Sequence, residues 1–383
     1  MKAIINGKLV FPDRILDGTL LIEGERILAA GQVPVPEGAE IIDADGLYVG
    51  PGFVDKHSHA YQQYGDNFLV QTQPAEAAAA HLKHGTTSYI PSTDYGDTKE
   101  QHLQMIRLCV DAIENNPKTS IAGIHLEGPF INRGYGSNSN AVIEYSDEFC
   151  EELFSLAAPY VRQCTYAPEL PTAPLLEAKM RKYGITGAIG HTCASAEDIE
   201  RAVAYGAKIA THLYDASSCS ISLEKAAKLT QHPQECTANL LLSIPGLYYE
   251  LICDSKGLHA KKYSVIEALR AGGEDHIVLI SDAFFEQPMG ADVVQDVSYD
   301  SSGGLCGSRL CIAMAARNFI RFTGADIRVT FKCASTNSAK VMGIYDQVGS
   351  LAAGKLANIV LVDSDFYVKK VIFRGEKIEE VRS

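Results

Sequence analysis

Eight short apolar runs punctuate the middle of the chain, at residues 48–55, 87–90, 121–126, 164–167, 187–189, 208–211, 248–253 and 277–280. Longer stretches of helical character separate them. Residues 74–84, 100–114, 196–205 and 262–271 carry apolar side chains at three-to-four spacing, the period of one helix face. Gly85, Gly184, Gly206 and Gly272 fall where such helices would need a left-handed cap. Parallel strands require a crossover connection, and a helix is the usual one, so the alternation predicts βα units and a parallel sheet. Eight units are the number that closes a (β/α)8 TIM-like barrel.

The two ends have another texture. Residues 2–10, 19–22 and 26–29 are β-rich and broken by turns such as Glu23-Gly24-Glu25, and residues 358–362 and 367–373 near the other end lead into a turn at 374–376. Terminal strands on both sides of one large body predict a small β-sandwich domain formed by both chain termini. The expected division is 1–50 plus 345–383 for the small domain and 51–344 for the barrel. The 383 residues, 46% hydrophobic and 21% charged, are enough for such a pair and match ordinary globular composition.

A formal net charge of −13 argues against nucleic acid as a partner, because phosphate binding needs a basic surface. No apolar run approaches membrane-spanning length, and the first residues lack the apolar core of a signal peptide. The ten cysteines include no C-x-x-C pair, so reduced thiols and a cytoplasmic location are expected.

Polar residues at the ends of the apolar runs carry the chemistry. Pro51-Gly52-Phe53-Val54-Asp55-Lys56-His57-Ser58-His59 follows the first run, and residues two apart on a strand share a face, so His57 and His59 can present two imidazoles to one point. An H-x-H alone could be chance. The third run, however, ends in Glu127, the fifth in His191, the sixth in His212 and the eighth in Asp282. Five of eight strand ends thus carry a metal-capable group, and in a barrel all those ends meet on one rim. His125 shares a face with Glu127 and is a candidate support. His81, His84 and His102 in helical stretches, and His232 and His276 in loops, are expected at the surface.

With these motifs assembled, the chain resembles the amidohydrolase superfamily, and within it the N-acetylglucosamine-6-phosphate deacetylases. The resemblance runs from Pro51-Gly52-Phe53 through His125-Leu126-Glu127-Gly128-Pro129, Gly190-His191-Thr192, Thr211-His212-Leu213 and Ser281-Asp282-Ala283 to Gly349-Ser350-Leu351. It implies one or two divalent metal ions, with Glu127, His191 and His212 holding one and His57 and His59 a second, Glu127 bridging. Zinc, iron and similar ions all suit mixed imidazole and carboxylate ligands. Such a metal lowers the pKa of water to give a hydroxide nucleophile and polarises the amide carbonyl. Asp282 would then carry the proton from the water to the leaving amine; its plainer reading is a helix N-cap. The resemblance further implies a small-molecule N-acyl substrate and a homodimer.

Three departures bear on the substrate. Asp215, in Tyr214-Asp215-Ala216, stands where the family has an asparagine beside the sugar phosphate. The family's His-Arg-Glu-Pro-Gly segment is missing, leaving Lys225 and Lys228 but no arginine between Leu213 and Leu247. Gly134-Tyr135-Gly136-Ser137-Asn138 replaces a Gly-Ala-His that faces substrate. Asp215, Ala216 and His259 are the candidate substrate contacts. The alternative substrate is another N-acyl or cyclic amide lacking phosphate. A carboxylated-lysine bridge is not expected, since the fourth run, Cys164 to Glu169, contains no lysine. A non-catalytic scaffold would be expected to have lost one of these groups.

Overall fold

The computed structural model describes residues 1–93, 98–135, 143–217, 236–285, 296–300 and 304–382. Its body is a ring of parallel strands: β1 (Phe53–Asp55), β2 (Thr86–Tyr89, resumed at Ser92–Thr93), β3 (Ile124–Glu127), β4 (Val161–Tyr166), β5 (Thr186–Ile189), β6 (Ala207–Ala210), β7 (Tyr248–Ile252) and β8 (Ile277–Ile280). Each pairs in parallel with the next. The end of β8 returns to β1 through the Asp282 amide on the His57 carbonyl at 2.9 Å and the His59 amide on the Ala283 carbonyl at 2.8 Å. The barrel expected from the alternation is therefore present, and its C-terminal rim carries the residues of interest.

Local chemistry explains the crossovers. Helix Lys99–Glu114 starts on a capping box in which the Thr98 hydroxyl accepts from the Gln101 amide and the Gln101 side chain accepts from the Thr98 amide. Ser195 and Asp198 do the same for helix Ala196–Ala204. Helix Ala173–Tyr183 ends on Gly184 at φ 68°, a conformation in which a Cβ would be costly. The apolar faces of these helices pack on the outside of the barrel, where Leu103, Ile106, Leu176 and Ile199 join Cys164, Ile189 and Leu251 in one buried cluster.

The first strand run divides. Residues Tyr48–Pro51 leave the barrel and lie between Lys2–Val10 and Ile359–Val362 in a sheet built from both ends of the chain. Gly52 is the joint: a Cβ there would lie 2.1 Å from Thr87 Oγ1, so a larger residue would separate β1 from β2. The terminal sheet continues through Ile15–Glu23 and Arg26–Gly31 on one side and Val368–Phe373 and Glu376–Lys377 on the other. It has an apolar core of its own around Ile4, Leu9, Leu20, Val49, Leu351, Ile359 and Leu361.

Three histidines expected at the surface are buried instead: His81, His84 and His102 are 0%, 0% and 3% exposed. Helix Pro74–Leu82 packs under the hairpin Ala60–Gln63/Asp66–Leu69 that follows His59. His81 Nε2 lies 2.9 Å from the Ala60 carbonyl and His84 Nε2 2.8 Å from the Tyr61 hydroxyl. The helix is mostly alanine, so its composition did not mark which side faces inward. His276 is half-buried and bonds the Gly272 carbonyl; His232 lies outside the described residues. Among the described residues eight cysteines are free, whereas Cys236 is disulfide-bonded, against the expectation of wholly reduced thiols. Among the described residues no helix is long and apolar enough to cross a membrane.

Candidate metal centre

Strand ends deliver six side chains to one point on the barrel rim. β1 runs straight into His57 and His59, β3 ends on Glu127, and His191, His212 and Asp282 follow β5, β6 and β8 within two residues. The last three have φ of 50°, 26° and 44°, a left-handed conformation that costs residues with a Cβ roughly 1–3 kcal/mol each. Neighbouring strands hold them in it. The Asn132 amide bonds the His191 carbonyl at 3.0 Å, the His212 amide reaches the Glu250 carboxylate at 3.2 Å, and the Asp282 amide reaches His57. Extended backbone at these positions would carry the side chains past the rim.

Glu127 is the hub. Its Oε1 lies 3.0 Å from both His191 Nε2 and His212 Nε2 and 3.2 Å from His57 Nε2, while Oε2 lies 2.8 Å from His59 Nε2. Imidazole nitrogens also face each other, His191 Nε2 to His212 Nε2 at 3.1 Å and His57 Nε2 to His59 Nε2 at 3.3 Å. Asp282 Oδ1 is 3.5 Å from His57 Nε2 and 3.6 Å from His59 Nε2. Two overlapping sets of cation-ligating atoms result: His57, His59, Glu127 and Asp282, and Glu127, His191 and His212.

The fit to a divalent cation follows from the tautomers. His191 Nδ1 lies 2.8 Å from the Tyr135 carbonyl, His212 Nδ1 3.3 Å from the Asp215 carbonyl, and His57 Nδ1 3.0 Å from Glu250 Oε2, so each Nδ1 donates outward. Each Nε2 is then left with a lone pair aimed at the carboxylate. Lone pairs converging this closely repel unless a proton or a cation lies among them. Ligand atoms on a tetrahedral ion with bonds of about 2.0–2.1 Å stand roughly 3.3 Å apart, close to the separations found here. The electrostatics agree. Burial works against charge on His57, yet Glu127, Asp282 and Glu250 hold it well above the usual imidazole range. Burial likewise opposes charge on His212, and Glu127 lifts it to about 9. Burial would raise Glu127, but His57 and the imidazoles of His191 and His212 set against it keep it well below the carboxylate range. A pocket that concentrates positive charge this strongly suits a divalent cation.

The expected substrate contacts lie beside this group. His259 is buried, with Nδ1 3.2 Å from Asp254 Oδ2 and Nε2 3.8 Å from Asp215 Oδ2. Asp254 is itself fixed by the amides of Lys256, Leu258 and His259. Ala216, at φ 45°, accepts the Thr192 amide through its carbonyl at 3.2 Å. His125 does not join the cluster. Its Nδ1 meets the Ser92 hydroxyl at 2.8 Å and its Nε2 the Thr165 hydroxyl at 2.9 Å, and burial holds it well below the usual imidazole range. It packs 4.6 Å from the His57 ring, as part of the floor. Residues 136–138, Lys225 and Lys228 lie outside the described residues.

Reading strand ends alone misses the layer beneath. Lys56, Gln163 and Glu250, all fully buried, fill the barrel lumen below His57 and are joined by hydrogen bonds. A signal was there: a glutamate in the apolar run 248–253 and a lysine between Asp55 and His57 are costly to bury unpaired, so each implied a partner.

Comparison with known proteins gives a consistent picture. The sequence profile of the amidohydrolase family matches residues 48–378. The chain is 26% identical to an N-acetylglucosamine-6-phosphate deacetylase of Lysinibacillus sphaericus, over 88% of this chain and 87% of that one. It is 28% identical to the Bacillus subtilis enzyme of the same name, over 85% and 83%. The crystal structure of the Thermotoga maritima N-acetylglucosamine-6-phosphate deacetylase superposes with a TM-score of 0.81 at 25% identity, covering 98% of this chain and 99% of that one.

Proposed function

The chain belongs to the amidohydrolase family, and on that premise we propose that it is a metal-dependent deacetylase that hydrolyses the N-acetyl amide of an amino sugar. N-Acetylglucosamine 6-phosphate, named in its relatives, is the first substrate to test. The observation that carries the reading is the shared carboxylate of Glu127, with Oε1 on His191 and His212 and Oε2 on His59.

In this reading Glu127, His191 and His212 would hold one divalent ion, and His57 and His59 would hold a second. A divalent cation bound there supplies Lewis acidity, which acidifies water and polarises a carbonyl. The protein groups do the rest. Asp282, 8% exposed and within 3.6 Å of both His57 and His59, takes a proton from the attacking water and returns it to the nitrogen of the breaking amide. Without that proton the amine is a poor leaving group. His259, oriented by Asp254, and Asp215 contact the sugar, and the Ala216 backbone shapes the same wall.

A second reading concerns the phosphate alone. Asp215 adds negative charge near the expected phosphate position, which disfavours an anionic substrate group. It supports an N-acyl substrate whose distal group is neutral or cationic. The proposed domain division is 1–50 plus 345–383 around 51–344, and the proposed assembly is a cytoplasmic homodimer. Acetate release by metal-loaded protein from N-acetylated amino sugars, phosphorylated and not, tests the function directly.

A further inference from the structure

Beneath the centre, the Glu250 carboxylate uses its two oxygens differently. Oε1 takes the Lys56 ammonium and the Gln163 amide, the latter at 3.0 Å. Oε2 takes His57 Nδ1 at 3.0 Å and the His212 backbone amide at 3.2 Å. All four donors belong to buried residues, and Lys56 Nζ also reaches Gln163 Oε1 at 2.9 Å. An ion pair that served only to fill the lumen would have no need to direct one oxygen at a strand-end imidazole. This one touches both halves of the centre, His57 through its ring and His212 through its backbone.

The contrast with the other imidazoles shows what Glu250 adds. His191 and His212 turn their Nδ1 protons toward neutral backbone carbonyls, whereas His57 turns its proton toward a carboxylate. A charged acceptor makes the stronger hydrogen bond and leaves the opposite nitrogen more basic. A bare buried carboxylate would itself draw protons or cations, and Lys56 offsets that charge from the side away from the rim.

We propose that Glu250, held by Lys56, is a positioning residue for the His57/His59 half of the centre: it fixes His57 with Nδ1 protonated and Nε2 free to bind a divalent cation. This rests on the metal reading above. The role predicts which ion is lost when the pair is altered. Glu250→Gln, and the charge-neutral double variant Lys56→Met/Glu250→Gln, should weaken retention of one metal ion about 10–100-fold, the range for removing a carboxylate behind a ligating histidine. The ion held by Glu127, His191 and His212 should remain.

The test is zinc content per chain, by elemental analysis, after dialysis against graded concentrations of a chelator, with circular dichroism as the check on folding. Wild type should keep two zinc ions at chelator concentrations that reduce either variant to one. A wild type that takes up no zinc defeats the metal reading itself. A wild type that takes up zinc, with folded variants that keep it at unchanged affinity, overturns only this inference. Should neither variant fold, 15N-histidine spectra of the zinc-loaded wild type decide. Coordination of His57 through Nε2 with Nδ1 protonated is expected, and an unprotonated or zinc-bound Nδ1 overturns the proposal.

Discussion

Glu127 and His212 meet at 3.0 Å, Oε1 to Nε2, and neither atom brings a proton of its own when His212 Nδ1 donates to the Asp215 carbonyl. A contact of that kind is stable only with positive charge placed on it. His212→Ala or His191→Ala should therefore abolish tight metal binding together with turnover. Elemental analysis finding undiminished metal in both variants would remove them from the ligand set.

Asp282 has a different part, and its substitution should separate binding from chemistry. Asp282→Asn keeps the size, a side-chain oxygen that can still face a cation and the backbone anchors while removing the proton carrier, so metal content should hold and kcat should fall by about two orders of magnitude or more. Near-normal kcat in a metal-replete variant would assign the proton transfer elsewhere.

Much of this candidate site was legible in the sequence. His57, His59, Glu127, His191, His212 and Asp282 each follow an apolar run, and a closed barrel has no other place for strand ends than one rim. The layer below was harder to read. Glu250 and Lys56 face the lumen, and a single polar residue in a short strand does not reveal which of seven other strands supplies its partner. His81 was misplaced because an alanine-rich helix carries little amphipathic signal, and His84 lies in the turn just past its end. The split of residues 48–55 at Gly52 depends on how closely Thr87 approaches, which only packing shows.

Buried His81 makes acid stability measurable. Burial lowers its pKa to about 4, below the unfolded value near 6.5, so the folded state resists a proton that the unfolded chain accepts. Its stabilising contribution is complete above pH 6.5 and is lost as pH falls toward 4, by about 1 kcal/mol at pH 5.5. Urea unfolding at pH 7.5 and 5.5 should show a smaller loss of stability in His81→Gln than in wild type. An equal loss in the two proteins would mean His81 is not held neutral.

Asp215 decides how the substrate's charge is received. Its carboxylate, 3.8 Å from His259, should repel a phosphate, so kcat/KM for N-acetylglucosamine 6-phosphate should exceed that for the unphosphorylated sugar by less than a hundredfold. Asp215→Asn should shift the ratio toward the phosphorylated sugar by about tenfold. A hundredfold or greater preference in the wild type would show that other residues hold the phosphate.

The central claim, amide hydrolysis at a metal centre gathered around Glu127, is tested most directly by one assay. Metal-stripped protein and protein reloaded with zinc or ferrous iron are each incubated with N-acetylglucosamine 6-phosphate and its unphosphorylated and N-acyl analogues, and acetate and free amine are quantified. The account predicts equimolar acetate and amine from at least one N-acetyl amino sugar, only with metal present. Release that is indifferent to metal, or none from any N-acetyl sugar by the fully loaded protein, would contradict it.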